Sequence, residues 1–266
     1  MILFTLVWAA AVVFAAASAV RAVRYARAPL HLRWELYPVP EGQGGQLRAM
    51  VPEILFLKAL WEHNRTMWLR SYPFHLGLYL TIAAVACLAG AAVTGWAALE
   101  MGFAVLAPAG AMLVVAGAVA LLAARIGRGE LKPYTAAGDI FNLVFFLVTF
   151  AVLLAGYHPP TAITFARALA AFDTELPVPP LFAAGMALAA VLMAYIPLTH
   201  MAHFIAKYFT YPAVRWDDRK TSAAMARRVA EYLTYRPTWS APHVGADGKR
   251  TWAQIATTNP AAKKDA

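Results

Sequence analysis

Five stretches of the chain contain no Asp, Glu, Lys or Arg: residues 2–20, 71–99, 101–124, 140–166 and 176–206. A helix of about 20 apolar residues crosses the hydrocarbon core of a bilayer, and each stretch is about that long or longer. The spans are placed at Ile2–Val20, Pro73–Leu99, Phe103–Ala124 and Ile140–Tyr157 within them, and from Pro180 past the end of the last stretch to about Phe209. Hydrophobic residues make up 61% of the 266 and charged residues 14%, against roughly 45–50% and 25% in soluble domains. The mean hydropathy is +0.56. This composition excludes an ordinary soluble domain and a disordered chain. The single cysteine, Cys87, lies in an apolar run and excludes an internal disulfide.

Basic charge sets the orientation. Segment 21–72 carries eight Lys/Arg (Arg21, Arg24, Arg27, Arg33, Arg48, Lys58, Arg65 and Arg70), segment 125–139 three (Arg125, Arg128 and Lys132) and segment 207–266 eleven. Only Arg167 falls on the other side, so five spans put 22 of 23 basic residues on one face. The positive-inside rule then predicts an N-terminus outside and a C-terminus in the cytoplasm. The first span has no basic segment before it and is followed by Arg21, which predicts a retained helix rather than a cleaved signal peptide. The same distribution assigns the high pI of about 9.8 to topology and anionic lipid. No nucleic-acid motif or stacking stripe accompanies it.

The fold class expected is an all-α integral membrane protein: a five-helix bundle over 1–209, including a cytoplasmic insert at 21–72, and a basic cytoplasmic tail over 210–266. In the insert, "APLHLRWELYPVPEGQGGQ" is Pro/Gly-rich and reads as a loop. The following "QLRAMVPEILFLKALWEHNRTMWLRSYPF" places Met50, Ile54, Leu57, Trp61 and Trp68 near helical spacing, which predicts an amphipathic helix in the membrane interface. "TAITFARALAAF" between the fourth and fifth spans reads as a short amphipathic helix on the outer side. The tail has one helical stretch, about Thr221–Tyr235, and is expected to be extended after Pro237.

Ionisable residues at membrane depth mark functional sites. His75 opens the second span; His200 and His203 close the fifth. The second span runs outward. The fifth runs inward, and His203 lies 23 residues, roughly 35 Å of helix, beyond Pro180. Both histidines therefore reach the cytoplasmic face at one level. Two imidazoles on facing helices suit a bis-histidine haem. The alternative for each is an interfacial histidine bonded to a backbone carbonyl; zinc lacks a Cys or carboxylate at that depth. His200 and His203, about 60° apart on a helix, cannot both be axial ligands on opposite sides of one iron. One of them is left for a propionate, a quinone or a second cofactor. His63, on the interfacial segment, reads as a surface residue or as one reaching toward His200. His31, His158 and His243 read as solvated.

At these residues the sequence resembles the gamma subunit of respiratory nitrate reductase, over residues 1 to about 215. "PFHLGLYL" at 73–80 and "PLTHMAH" at 197–203 carry the likeness. "RWELYPVP" at 33–40, "PEILFLKALWEHNR" at 52–65 and "HFIAKYFTYPAVRWDD" at 203–218 are more similar to the membrane cytochrome b subunits of heterodisulfide-reductase-like complexes, including those linked to dissimilatory sulfite reductase and to transmembrane cytochrome c complexes. The resemblance implies a haem b-containing subunit in a bacterial or archaeal cytoplasmic membrane. Such a subunit exchanges electrons between quinone, in the direction of menaquinol oxidation, and a cytoplasmic iron–sulfur protein related to heterodisulfide reductase. Further membrane or periplasmic cytochrome subunits are implied as partners. His75 and His203 match the ligands of the partner-proximal haem. The distal pair would fall at Val85 and Gly185, which do not support the distal haem of that pattern, beside which the family's quinol site lies. Either one haem is kept, or a second uses His200, His63 or His158. Arg70, Arg65 and Lys207 are placed to meet haem propionates or lipid phosphate. Asn142, the one amide within an apolar span, is placed to hold a quinone carbonyl or to join helices. Trp216, Asp217 and Asp218 follow the fifth span as a partner-docking edge or a solvated helix end. From a different class comes a second reading, a haem-free membrane anchor that recruits the redox partner. A transporter would need midplane charges and discontinuous helices, and the sequence shows neither.

Overall fold

A computed structural model describes residues 1–28, 40–127, 131–216, 223–239 and 246–258. They form two compact units, one from the described residues up to Arg215 and one from Trp216 onward. All regular elements of the first unit are helices: α1 (Ile2–Arg27), α2 (Gly42–Leu55), α3 (Lys58–His63), α4 (Arg65–Thr94), α5 (Ala97–Gly127), α6 (Ala137–Ala155), α7 (Pro159–Ala171), α8 (Pro180–Leu198) and α9 (His203–Arg215).

Five of these, α1, α4, α5, α6 and α8, are long and apolar enough to cross a membrane. Only 11% of the most apolar window of α1 and 28% of that of α5 is buried. Ile82, Val93, Met101 and Val105 are among the apolar side chains left outside. In water such a surface would aggregate; in lipid it is the ordinary exterior.

Small residues set the packing. The hairpin of α4 and α5 turns at Gly95, whose φ of +70° closes the helix in the left-handed region. A Cβ on Gly77 would lie 2.6 Å from Gly110 O and from Val114 N, and one on Gly117 would lie 2.5 Å from Phe74 N. The backbones touch because no side chain stands between them, the close approach that joins helices in lipid. α5 then packs on α6, α6 on α8, and α8 on α1. Phe4, Phe165 and Phe182 fill one end of the bundle, with ring centroids 4.8 Å and 5.5 Å apart in sequence. The short helix α7 matches its expected position there, and Arg167 is paired with Glu100 of α5 at 2.6 Å.

Two expectations change. The fifth span does not run unbroken to Phe209. Pro197 has no N–H to continue the ladder, and α8 stops at Leu198. Thr199 turns extended, its hydroxyl accepts from Met201 N, and a 3₁₀ turn (His200–Ala202) leads into α9. The carbonyl of Pro197 is taken by Arg21 Nε of α1. The segment expected to form one amphipathic helix likewise starts at Gly42, and it divides at Leu57, which has φ +52°, and again at Asn64, whose side chain caps α4 through Met67 N. Residues 29–39 of the expected loop, His31 included, lie outside the described residues.

The second unit contains α10 (Ala223–Leu233) and α11 (Trp252–Ala256). Its end is not wholly extended. Thr251 and Gln254 form a capping box for α11, Trp252 N donates to Tyr235 O and Gly248 N to Pro237 O. Trp239 and Trp252 pack with centroids 5.5 Å apart.

Candidate functional site

His75 sits in the third turn of α4, beside the contact that holds that helix most tightly. Gly117 brings α5 against the backbone of Phe74, and Phe74 packs edge-to-face on Phe146 at 5.1 Å. His75 Nδ1 donates to Ser71 O at 2.8 Å and lies 3.3 Å from Ser71 Oγ. A carbonyl only accepts, so the proton is on Nδ1 and the Nε2 lone pair is free, the arrangement a metal-binding imidazole adopts.

His203 opens α9, one residue beyond the 3₁₀ turn. The break after Pro197 directs it: its ring centroid stands 6.2 Å from that of His75, with the planes 70° apart. His75 is half-buried and His203 exposed. Metal–imidazole bonds of about 2.0 Å, with the bonding nitrogen about 1.1 Å from its ring centre, place two axial rings about 6.2 Å apart. Packed helices lie about 8–10 Å apart, too close for a porphyrin between them, but α4 makes no sustained packing with α8 or α9. The two histidine rings meet across that gap. The donor set and its spacing fit a bis-histidine haem.

His200 goes elsewhere. Its Nε2 is 3.0 Å from Asn142 Nδ2 and 3.7 Å from Asp139 Oδ1. Asn142 is buried, and its Oδ1 accepts from Tyr195 OH at 2.6 Å. Arg125 closes the chain at 3.5 Å from Asp139. Asn142 thus joins α6 to α8 and to the turn that carries His200. His63 is exposed at the end of α3. His158 caps α7 through Thr161 at the opposite end of the bundle. At the two distal positions, Val85 is 57% exposed and Gly185 is buried against Leu153, whose Cδ2 would be 3.2 Å from an added Cβ.

Of the cations, Lys207 pairs with Glu53 at 2.8 Å, one turn after His203. Arg65 lies over the Trp61 ring at 4.8 Å, and Arg70 is half-buried on α4. Trp216 is 2% exposed within the second unit; Asp217, Asp218 and His243 lie outside the described residues. Among the described residues no group of three or more His, Cys, Asp or Glu side chains is gathered for a metal ion.

The sequence reading did not single out Glu53. It is 8% exposed, and besides Lys207 it accepts from Ala59 N at 3.0 Å, binding the start of α3 to α9. A lone carboxylate in the apolar run "MVPEILF" was the available signal. Arg21, read as a topology charge, holds the broken end of α8; the signal for that break was "PLT" before the histidines.

Comparison with protein-family models, with curated proteins and with solved structures finds no match to this chain.

Proposed function

We propose that the chain is a haem b-binding membrane subunit of a quinone-linked oxidoreductase, with one haem held between His75 and His203. The observation that carries the reading is the 6.2 Å approach of those two rings on helices that make no sustained packing with each other. The haem, when bound, supplies one-electron transfer. The chain's own residues do the positioning: Ser71 O fixes the His75 tautomer, the Pro197 break brings the His203 ring to that of His75, and the Glu53–Lys207 pair holds α9 beside α2.

The histidine end faces the cytoplasm in this proposal, with the N-terminus outside, because 22 of 23 basic residues then lie inside. Electrons pass from the membrane quinol pool, menaquinol on the resemblance stated above, to a cytoplasmic iron–sulfur subunit of the heterodisulfide-reductase type. Further membrane or periplasmic cytochrome subunits complete the assembly in a bacterial or archaeal cytoplasmic membrane. Arg70, half-buried five residues before His75 on α4, is the cation available for a propionate, whereas Lys207 is already engaged by Glu53.

The test is a reduced-minus-oxidised absorption spectrum of the purified chain and of His75→Ala, His203→Ala and His200→Ala. Loss of the b-type bands in the first two and their retention in the third is expected. Retention in His75→Ala or His203→Ala would overturn the ligand assignment. A folded native chain without haem would leave the membrane anchor.

A further inference from the structure

Helix α10 (Ala223–Leu233) carries an apolar face that nothing described in the second unit covers. Every side chain from Ala226 to Arg236 is exposed. Val229, Tyr232 and Leu233 are 46%, 55% and 40% exposed, and the contact of α10 with α11 leaves them so. At about 100° per residue, Ala226, Val229, Tyr232 and Leu233 fall within about 120° of arc, a single stripe. Arg228 borders it beside Tyr232; Arg227 and Glu231 stand opposite. A helix of fewer than about 12 residues is marginal in water, and α10 has 11, so it needs a surface against that stripe.

Charge selects the surface. Arg227 and Arg228 form no ion pair with any described residue, since Glu231, one turn further on, accepts from Tyr235 OH at 3.0 Å instead. The tail over 207–266 holds eleven Lys/Arg against five Asp/Glu. We propose that α10 docks on an anionic phospholipid surface, lying in its plane with Val229, Tyr232 and Leu233 in the head-group boundary and Arg228 reaching phosphate. A helix apolar on one face and basic on the other binds there by buried area and charge together. A tyrosine at the edge of the stripe suits that boundary, and each cation near an anionic surface adds about fivefold in affinity. The bilayer is also the partner at hand. Five helices long and apolar enough to cross it precede the tail, which makes the docking intramolecular. A second copy would instead set like charges against each other. Docking needs the spans in a bilayer but no haem, so it stands apart from the proposed redox function.

The test uses the full chain in two sets of nanodiscs, one of phosphatidylcholine and one of phosphatidylcholine with an equal part of phosphatidylglycerol. Hydrogen exchange at the amides of 226–233 reads docking, because an undocked short helix opens readily. At low salt, exchange is expected to be about tenfold or more slower in the anionic discs, with the difference lost at high salt. Arg228→Gln should reduce the slowing about fivefold. Val229→Gln/Leu233→Gln should abolish it, although glutamine forms helix about as well as the pair replaced. Glu231→Gln, away from the stripe, should keep it. Equal exchange in the two discs, or slowing that survives the loss of both apolar side chains, would overturn the proposal. So would slowing that rises with disc concentration, which would assign the stripe to a second copy. Haem content is measured on the same samples. Slowing in a haem-free chain keeps the docking while the cytochrome reading fails, and equal exchange in a haem-loaded chain sinks the docking alone.

Discussion

Breaking the Glu53–Lys207 pair from one side should cost far more than breaking it from the other. Glu53 has a side chain only 9% exposed, whereas that of Lys207 is 42% exposed. In Glu53→Gln the amide oxygen still accepts from Ala59 N, and the freed ammonium extends into water or to lipid phosphate. The expected loss is about 1 kcal/mol, the value of an ordinary hydrogen-bonded contact. In Lys207→Met the carboxylate stays behind, buried and unpaired, and removing one partner of such a pair costs about 3 kcal/mol or more. The double variant Glu53→Gln/Lys207→Met leaves no charge and should return to about 1 kcal/mol. Hydrogen exchange at the Ala59 amide reports the local opening that detaches α3. At about 1.4 kcal/mol per decade, exchange should accelerate about fivefold in Glu53→Gln, about 100-fold or more in Lys207→Met, and about fivefold in the pair. Equal acceleration in the two single variants, or a double variant worse than Lys207→Met, would refute the reasoning.

Gly77→Val should prevent α4 and α5 from closing, because its Cβ meets backbone at 2.6 Å, whereas Gly127→Ala, with open space around it, should be neutral; the fraction of monodisperse protein in detergent distinguishes them. Asn142→Leu removes the bonds to His200 and Tyr195 and should destabilise by about 1–2 kcal/mol, seen as a lower thermal midpoint with haem content retained. In the second unit, Lys249 and Arg250 backbone N–H groups hold the Asp247 carboxyl down to about 2, the Arg250 bond being the larger cause. A depressed carboxylate contributes above its unfolded value of about 3.9 and loses that contribution as pH falls through its folded one. Protection of the Lys249 and Arg250 amides, corrected for intrinsic exchange, should hold from pH 8 to 5 and decline between about 4 and 2, and Asp247→Asn should abolish that dependence.

The bundle was legible because uncharged length is a coarse signal that lipid enforces: all five spans appear where charge-free stretches put them, with ends shifted by several residues. The break after Leu198 was hidden because no Asp, Glu, Lys or Arg interrupts "IPLTHMAHF"; Pro197 with the capping hydroxyl of Thr199 marks it. His75 and His203 were legible as matched depths on separate spans. Which of His200 and His203 meets His75 was not, since spacing along a presumed straight helix cannot register a 3₁₀ turn. Asn142 turned out to join helices, one of its two readings, once Tyr195 and His200 supplied partners far away in sequence. The Glu53 contacts depend on α2 and α3 folding back onto α4 and α9. No local pattern encodes that return, and the sequence showed only an amphipathic segment.

Whether one haem sits between His75 and His203 is read from haem b per chain, by pyridine haemochrome on the purified native protein. One is expected, because His200 is engaged with Asn142, His158 caps a helix at the far end, and Val85 and Gly185 offer no ligand. A value of two, or of zero in a folded chain, would contradict it.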